Sequence, residues 1–128
     1  MPHQKKIALV AHDAKKDLIV DWASANRDAL SHHHIYATGT TGGRLMEGAG
    51  LAVERLLSGP LGGDAQLGAM IAEERLDALI FFIDPLSALP HDVDVKSLLR
   101  LAILYDTPLA INKSSADAVL CALKNDTD

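Results

Sequence analysis

Leu79-Ile80-Phe81-Phe82-Ile83 is the most apolar run in the sequence, and it ends on Asp84-Pro85. Five apolar residues in a row, without alternation, suit a strand covered on both faces, so this stretch is expected to be the central strand of a sheet. Outward from it, strands are predicted at residues 7–11 (IALVA), 35–38 (IYAT), 52–56 (AVERL) and 109–111 (LAI). The charges in AVERL mark it as partly exposed or an edge. Stretches of helical period lie between the strands. The first runs from about 14 to 30, with Asp13 where an N-cap would stand and Ile19, Trp22, Ala23 and Leu30 on one apolar face. A short helix follows near 44–47, stopped by Gly48 and Gly50, and others are expected at about 65–74, 95–105 and 115–123. Strands alternating with helices imply right-handed crossovers and a parallel sheet with helices on both faces. The expected fold is therefore α/β, an open, doubly wound, three-layer sandwich of five parallel strands.

A length of 128 residues suits one domain, with no internal repeat and no linker long enough to divide it. The apolar run after Lys5-Lys6 is too short for a signal-peptide core or a membrane span, and no membrane association is expected. The single cysteine, Cys121, cannot form an internal disulfide; within AVLCAL it is expected to be a buried thiol, and the chain to be cytoplasmic. A net charge of −5 argues against sequence-independent nucleic-acid binding. It does not oppose a small phosphate ligand, which responds to a few local N–H groups and a lysine rather than to total charge.

The polar residues are distributed unevenly. His12-Asp13, TGTTGG (38–43), SGPLGGD (58–64), DPLSALPHDVD (84–94) and Asn112-Lys113-Ser114 each follow a strand and precede a helix. In a parallel sheet all such connections gather at the carboxyl edge, where open α/β folds bind ligands. The opposite connections, among them the run His32-His33-His34, read as plain surface turns.

Thr38-Gly39-Thr40-Thr41-Gly42-Gly43 has the composition of an anion cradle: glycines allow close backbone approach, threonines donate, and a helix start offers free N–H groups. A flexible turn capped by threonine is the plain alternative. SGPLGGD is a second loop of this kind, ending on Asp64, which by default would be an N-cap. His91 and Asp94 stand i, i+3 at the mouth of a helix, so the carboxylate can fix the imidazole's tautomer; an exposed histidine beside capping aspartates would look the same. Asp84 follows the central strand. His12 and Lys16 flank the first helix start and could meet a phosphoryl group, although a lone lysine is more often solvated. No Cys/His set has structural-zinc spacing, and no metal is expected. Together these groups suit proton abstraction beside the carbonyl of a phosphorylated substrate: a carboxylate takes the proton, an imidazole polarises the oxygen, and the cradle holds the phosphoryl group and stabilises it as it leaves.

At this point IALVAHD, YATGTTGG, LLSGPLGGDAQLGAMI, LIFFIDPLSALPHDVDVKSLLRLA and LYDTP resemble the methylglyoxal synthase family from roughly residue 6 to 123. The resemblance implies flavodoxin-like subunits in a homohexamer, acting on dihydroxyacetone phosphate without metal or organic cofactor. By position, Asp64 matches the family's general base, His91 the histidine on the reacting oxygens, Asp94 its partner, and Asp84 a further active-site carboxylate. His12, Lys16, Thr38, Gly39, Thr40, Thr41, Ser58, Gly59 and His91 match substrate-binding positions. The implied course is an enediolate that loses inorganic phosphate, a product and possible inhibitor. Many relatives carry a basic tail after the last helix, whereas this sequence stops at Asp128, so the response to phosphate is where a difference is expected.

Two other readings share parts of this pattern. A ligand-sensing module, like the one ending large carbamoyl-phosphate synthetase subunits, needs the cradle but not Asp64, His91 and Asp94 together. A triose-phosphate isomerase-like activity shares the first proton abstraction and keeps the phosphate.

Overall fold

The computed structural model describes residues 4–58, 61–86 and 92–126. Strands β1 (Lys6–Ala11), β2 (His34–Ala37), β3 (Val53–Arg55), β4 (Ala78–Phe82) and β5 (Leu109–Ala110) form one sheet in the order β3-β2-β1-β4-β5. Every pairing is parallel, with Ile7 opposite Ile35 on one side and Ala78 on the other. All five residues of β4 are buried, as are Ile7 to Ala11 of β1, because helices cover both faces. β3 is the edge strand its charges predicted, with Glu54 and Arg55 exposed.

Helices α1 (Lys16–Ala25), α2 (Arg27–Leu30), α3 (Gly39–Ala49) and α6 (Lys113–Asp126) cover one face, and α4 (Gly63–Ala72) and α5 (Asp92–Leu104) the other. The core is correspondingly double. Ile7, Leu9, Ile80 and Phe82 pack under Ile19, Trp22, Leu45 and Leu120. Ala8, Val10, Leu79 and Phe81 pack under Leu67, Met70, Ile71 and Leu98. The two-residue period of the strands sends alternate side chains to opposite layers. Strand order decides which helix goes where: β1→β2→β3 steps one way and β4→β5 the other, so right-handed crossovers place α1 and α3 opposite α4 and α5.

Five local expectations are corrected. The helix expected over 14–30 starts as a 3-10 turn at Asp13–Lys15 and breaks at Asn26. The Asn26 amide donates to the Trp22 carbonyl at 2.8 Å, competing with helix propagation. Asp13 lies within that turn and is not an N-cap. The short helix expected at 44–47 begins at Gly39, passes through Gly48 and ends at left-handed Gly50. Cys121 is exposed, because Ala116, Leu120 and Leu123 hold the buried stripe of α6 and position 121 falls outside it. The histidine run is not a plain turn. His33 is buried and its Nδ1 accepts the Lys5 N–H at 3.1 Å, and His34 begins β2, stacked on Tyr36 at 4.4 Å. Among the described residues no helix is long and apolar enough to cross a membrane.

Candidate active site

Each strand delivers a polar residue to the carboxyl edge. In sheet order these are Ser58 after β3, Thr38 after β2, His12 after β1, Asp84 after β4 and Asn112 after β5. The chain direction over the sheet reverses between β1 and β4, where the helices leave to opposite faces and open a crevice. His12 and Asp84 flank that point and touch. The Asp84 N–H donates to His12 Nδ1 at 2.8 Å, and the His12 N–H donates to the Phe82 carbonyl at 3.2 Å. An imidazole that accepts at Nδ1 carries the proton of its neutral form on Nε2. The ring is held edge-on to Phe81, with centroids 5.1 Å apart. The Asp84 carboxylate accepts the Leu86 N–H at 3.0 Å, the turn that carries the chain away from β4.

The second half of the edge is built by two glycine-rich segments leaning on each other. Thr38 is the N-cap of α3 in extended conformation, and the Gly39 N–H donates to the Leu57 carbonyl at 3.3 Å. Helix geometry leaves the N–H groups of Thr40 and Thr41 without an intrahelical acceptor, at the end of the helix that carries partial positive charge. Thr40 is exposed and Thr41 is only 1 % exposed. A Cβ on Gly39 would stand 3.0 Å from the Ser58 nitrogen, so only glycine lets β2 and β3 end this close. Gly42 and Gly43 have a different reason. A Cβ there would stand 2.8 Å from Arg55 Cγ and 3.3 Å from Arg55 Nη2. Beside the close approach to a ligand that the sequence suggests for them, these glycines leave room for the Arg55 side chain, whose Nε and Nη2 donate to the Gly39 carbonyl at 3.0 and 2.7 Å.

The Ser58 carbonyl accepts from the Leu61 N–H at 3.0 Å and the Gly63 N–H at 2.9 Å, and Gln66 accepts the Leu57 N–H at 2.8 Å. This turn starts α4, with Asp64 half-buried in its first turn. Lys16 heads α1, mostly buried, with its ammonium on the exposed Asp13 carboxylate. Asn112 is bound into the start of α6, where its Oδ1 accepts the Ser115 N–H at 2.9 Å. His91 and Gly59 lie outside the described residues; Asp94 falls in the first turn of α5, with its side chain outside the description.

The structure thus joins His12 to Asp84, and Thr38–Thr41 to Ser58, on one edge. Arg55 was missed, since one arginine on an edge strand reads as solvated; the signal was a glycine pair inside a helix, which needs a neighbour to explain it. Among the described residues no three His, Cys, Asp or Glu side chains cluster as metal ligands.

The sequence model of the MGS-like domain family matches residues 18–111. The chain is 57% identical over 122 residues to a methylglyoxal synthase of Rhizobium rhizogenes, covering 94% of this chain and 97% of that one. The chain belongs to the methylglyoxal synthase family. A methylglyoxal synthase of Aliivibrio fischeri is 54% identical over 122 residues, covering 95% of this chain and 81% of its own length. The crystal structure of methylglyoxal synthase from Elizabethkingia anophelis superposes with a TM-score of 0.88 at 50% identity, over 94% of this chain and 79% of that one.

Proposed function

We propose that this chain is a methylglyoxal synthase, a lyase that converts dihydroxyacetone phosphate into methylglyoxal and inorganic phosphate. The observation that carries the reading is the end-to-end likeness to proteins of that name, which spans both glycine-rich segments and every strand end on the carboxyl edge. In this reading the phosphoryl group lies at the α3 N-terminus, held by Thr38, Gly39, Thr40, Thr41, Ser58 and Gly59. Lys16 moves from Asp13 to meet it, and the Nε2–H of His12 donates to the substrate.

Asp64 takes a proton from the hydroxymethyl carbon, and His91, oriented by Asp94, donates to the carbonyl oxygen as charge builds there. Asp84 holds the far side of the crevice through His12. The electron pair left by the proton forms the enediolate. It then breaks the carbon–oxygen bond to phosphate, and the resulting enol takes a proton to become methylglyoxal. One substrate becomes two products without water, oxidant or cofactor. The phosphate released is also expected to compete for the cradle. Triose phosphates are charged and do not cross bilayers unaided, so the activity is assigned to the cytoplasm.

Purified protein is incubated with dihydroxyacetone phosphate, and methylglyoxal and free phosphate are followed together. Equal release of both is expected. Asp64→Asn is expected to lower turnover about 100-fold or more while inorganic phosphate still binds. Wild-type turnover in that variant removes Asp64 as the base. Saturable phosphate binding with no product favours a sensing module, and glyceraldehyde 3-phosphate without phosphate release an isomerase.

A further inference from the structure

We propose that Arg55 is a positioning residue for the phosphate cradle, acting through the peptide bond between Gly39 and Thr40. Its guanidinium donates twice to the Gly39 carbonyl, from Nε at 3.0 Å and from Nη2 at 2.7 Å. That carbonyl belongs to the same peptide unit as the Thr40 N–H. Pulling electron density toward the oxygen makes the N–H at the other end a stronger donor, because hydrogen bonds through one amide reinforce each other. The Thr40 N–H is one of the groups that the start of α3 leaves without an intrahelical acceptor. The two-point grip also holds the peptide plane in one orientation, which a single-donor side chain would not do.

The surroundings are shaped for this side chain. Gly42 and Gly43 leave the space it crosses; a Cβ on either would come within 2.8 Å of Cγ or 3.3 Å of Nη2. Its backbone is fixed by the β2–β3 pairing, with Arg55 opposite Ala37, and the next residue continues it, the Leu56 N–H donating to the Ala37 carbonyl at 2.8 Å. An arginine whose only task was solubility would need neither glycine.

The proposal rests on the phosphate site assigned above, and its test separates the two. Inorganic phosphate is titrated into wild type, Arg55→Lys and Arg55→Met, with unfolding midpoints recorded for each. KM and kcat for dihydroxyacetone phosphate are then measured. Arg55→Met is expected to weaken phosphate binding and raise KM about fivefold, the size of one ordinary hydrogen bond because the guanidinium acts through the peptide and not on the phosphate itself, with kcat changed less than about twofold. Arg55→Lys, able to donate once, is expected to recover part of that loss. In the absence of phosphate, the Thr40 amide nitrogen resonance is expected to move in Arg55→Met and less in Arg55→Lys, reporting the lost polarisation.

A phosphate affinity within about twofold of wild type in folded Arg55→Met overturns the proposal. So does an unmoved Thr40 resonance, or a wild type that does not bind phosphate. Should Arg55→Met not fold, Arg55→Lys decides: unchanged phosphate affinity and an unchanged Thr40 resonance overturn the proposal. A wild type that binds phosphate but makes no methylglyoxal fails the proposed activity and leaves Arg55 to be judged by phosphate affinity alone.

Discussion

The ring of His33 sits almost out of solvent, with Nδ1 accepting the Lys5 N–H at 3.1 Å. Burial lowers its pKa below the usual imidazole value; the nearby His32 and Lys5 charges add to this, and Asp77 opposes it. The folded state therefore prefers the neutral ring more than the unfolded chain does. The stability this contributes is complete above the unfolded value of about 6.5 and is lost as the pH falls from there through the folded value. Protonating Nδ1 would also remove the acceptor that Lys5 uses. The urea midpoint of wild type is expected to fall more steeply between pH 7 and pH 5 than that of His33→Asn, whose amide oxygen can accept the same N–H. Parallel falls would show that His33 does not couple to folding. Nothing in the run His32-His33-His34 distinguishes the middle ring. What sets it apart includes the Lys5 N–H and the Asp77 charge, far away in sequence and brought there by β1 and the approach to β4.

Among the elements, α1 and α6 are joined by a polar contact at the edge of an apolar layer. Trp22 is buried against Phe82, and its indole N–H donates to the Asp117 carboxylate at 2.7 Å. A buried indole N–H without a partner is costly, and the bond here is charge-assisted. Asp117→Ala is expected to lower unfolding stability by about 1–3 kcal/mol, and Asp117→Asn by less, since its amide oxygen can still accept. Equal stability of Asp117→Ala and wild type in urea would mean that water replaces the carboxylate. Trp22 was legible as core from its place in a helical stripe, and its partner was not, because 95 residues separate the two. The same holds for α3. Glycine and threonine are poor helix formers, so a turn was expected over 39–43. The helix forms because its first turn is held from outside, by the Leu57 carbonyl and by Arg55.

For the whole molecule, α5 leaves an apolar strip uncovered. Ile103 is 74 % exposed and Leu104 69 %, beside Leu99 and the stems of Lys96 and Arg100. Contiguous exposed apolar surface of this kind marks contact with another chain. The strip suits self-association without fixing a copy number, and we propose the homohexamer that the family resemblance implies as the working assembly. Light scattering on the purified protein is expected to give the mass of six chains, and Ile103→Glu to shift it toward smaller species with the subunit fold retained. A monomeric wild type removes the hexamer. An unchanged hexamer in Ile103→Glu removes this strip from its interface.

The five strands are found within one residue of their expected bounds at every end, because apolar runs between turn residues report burial directly. The gathering of polar connections at one edge was equally legible, since parallel pairing follows from strand–helix alternation. Three-dimensional packing alone decided the order β3-β2-β1-β4-β5, which sets His12 beside Asp84 and Gly39 beside Ser58. It also decided the role of Arg55, the break at Asn26 and the exposure of Cys121. Each of these depends on which neighbour a residue meets across the sheet or between helices, and local pattern carries no record of a partner many residues away.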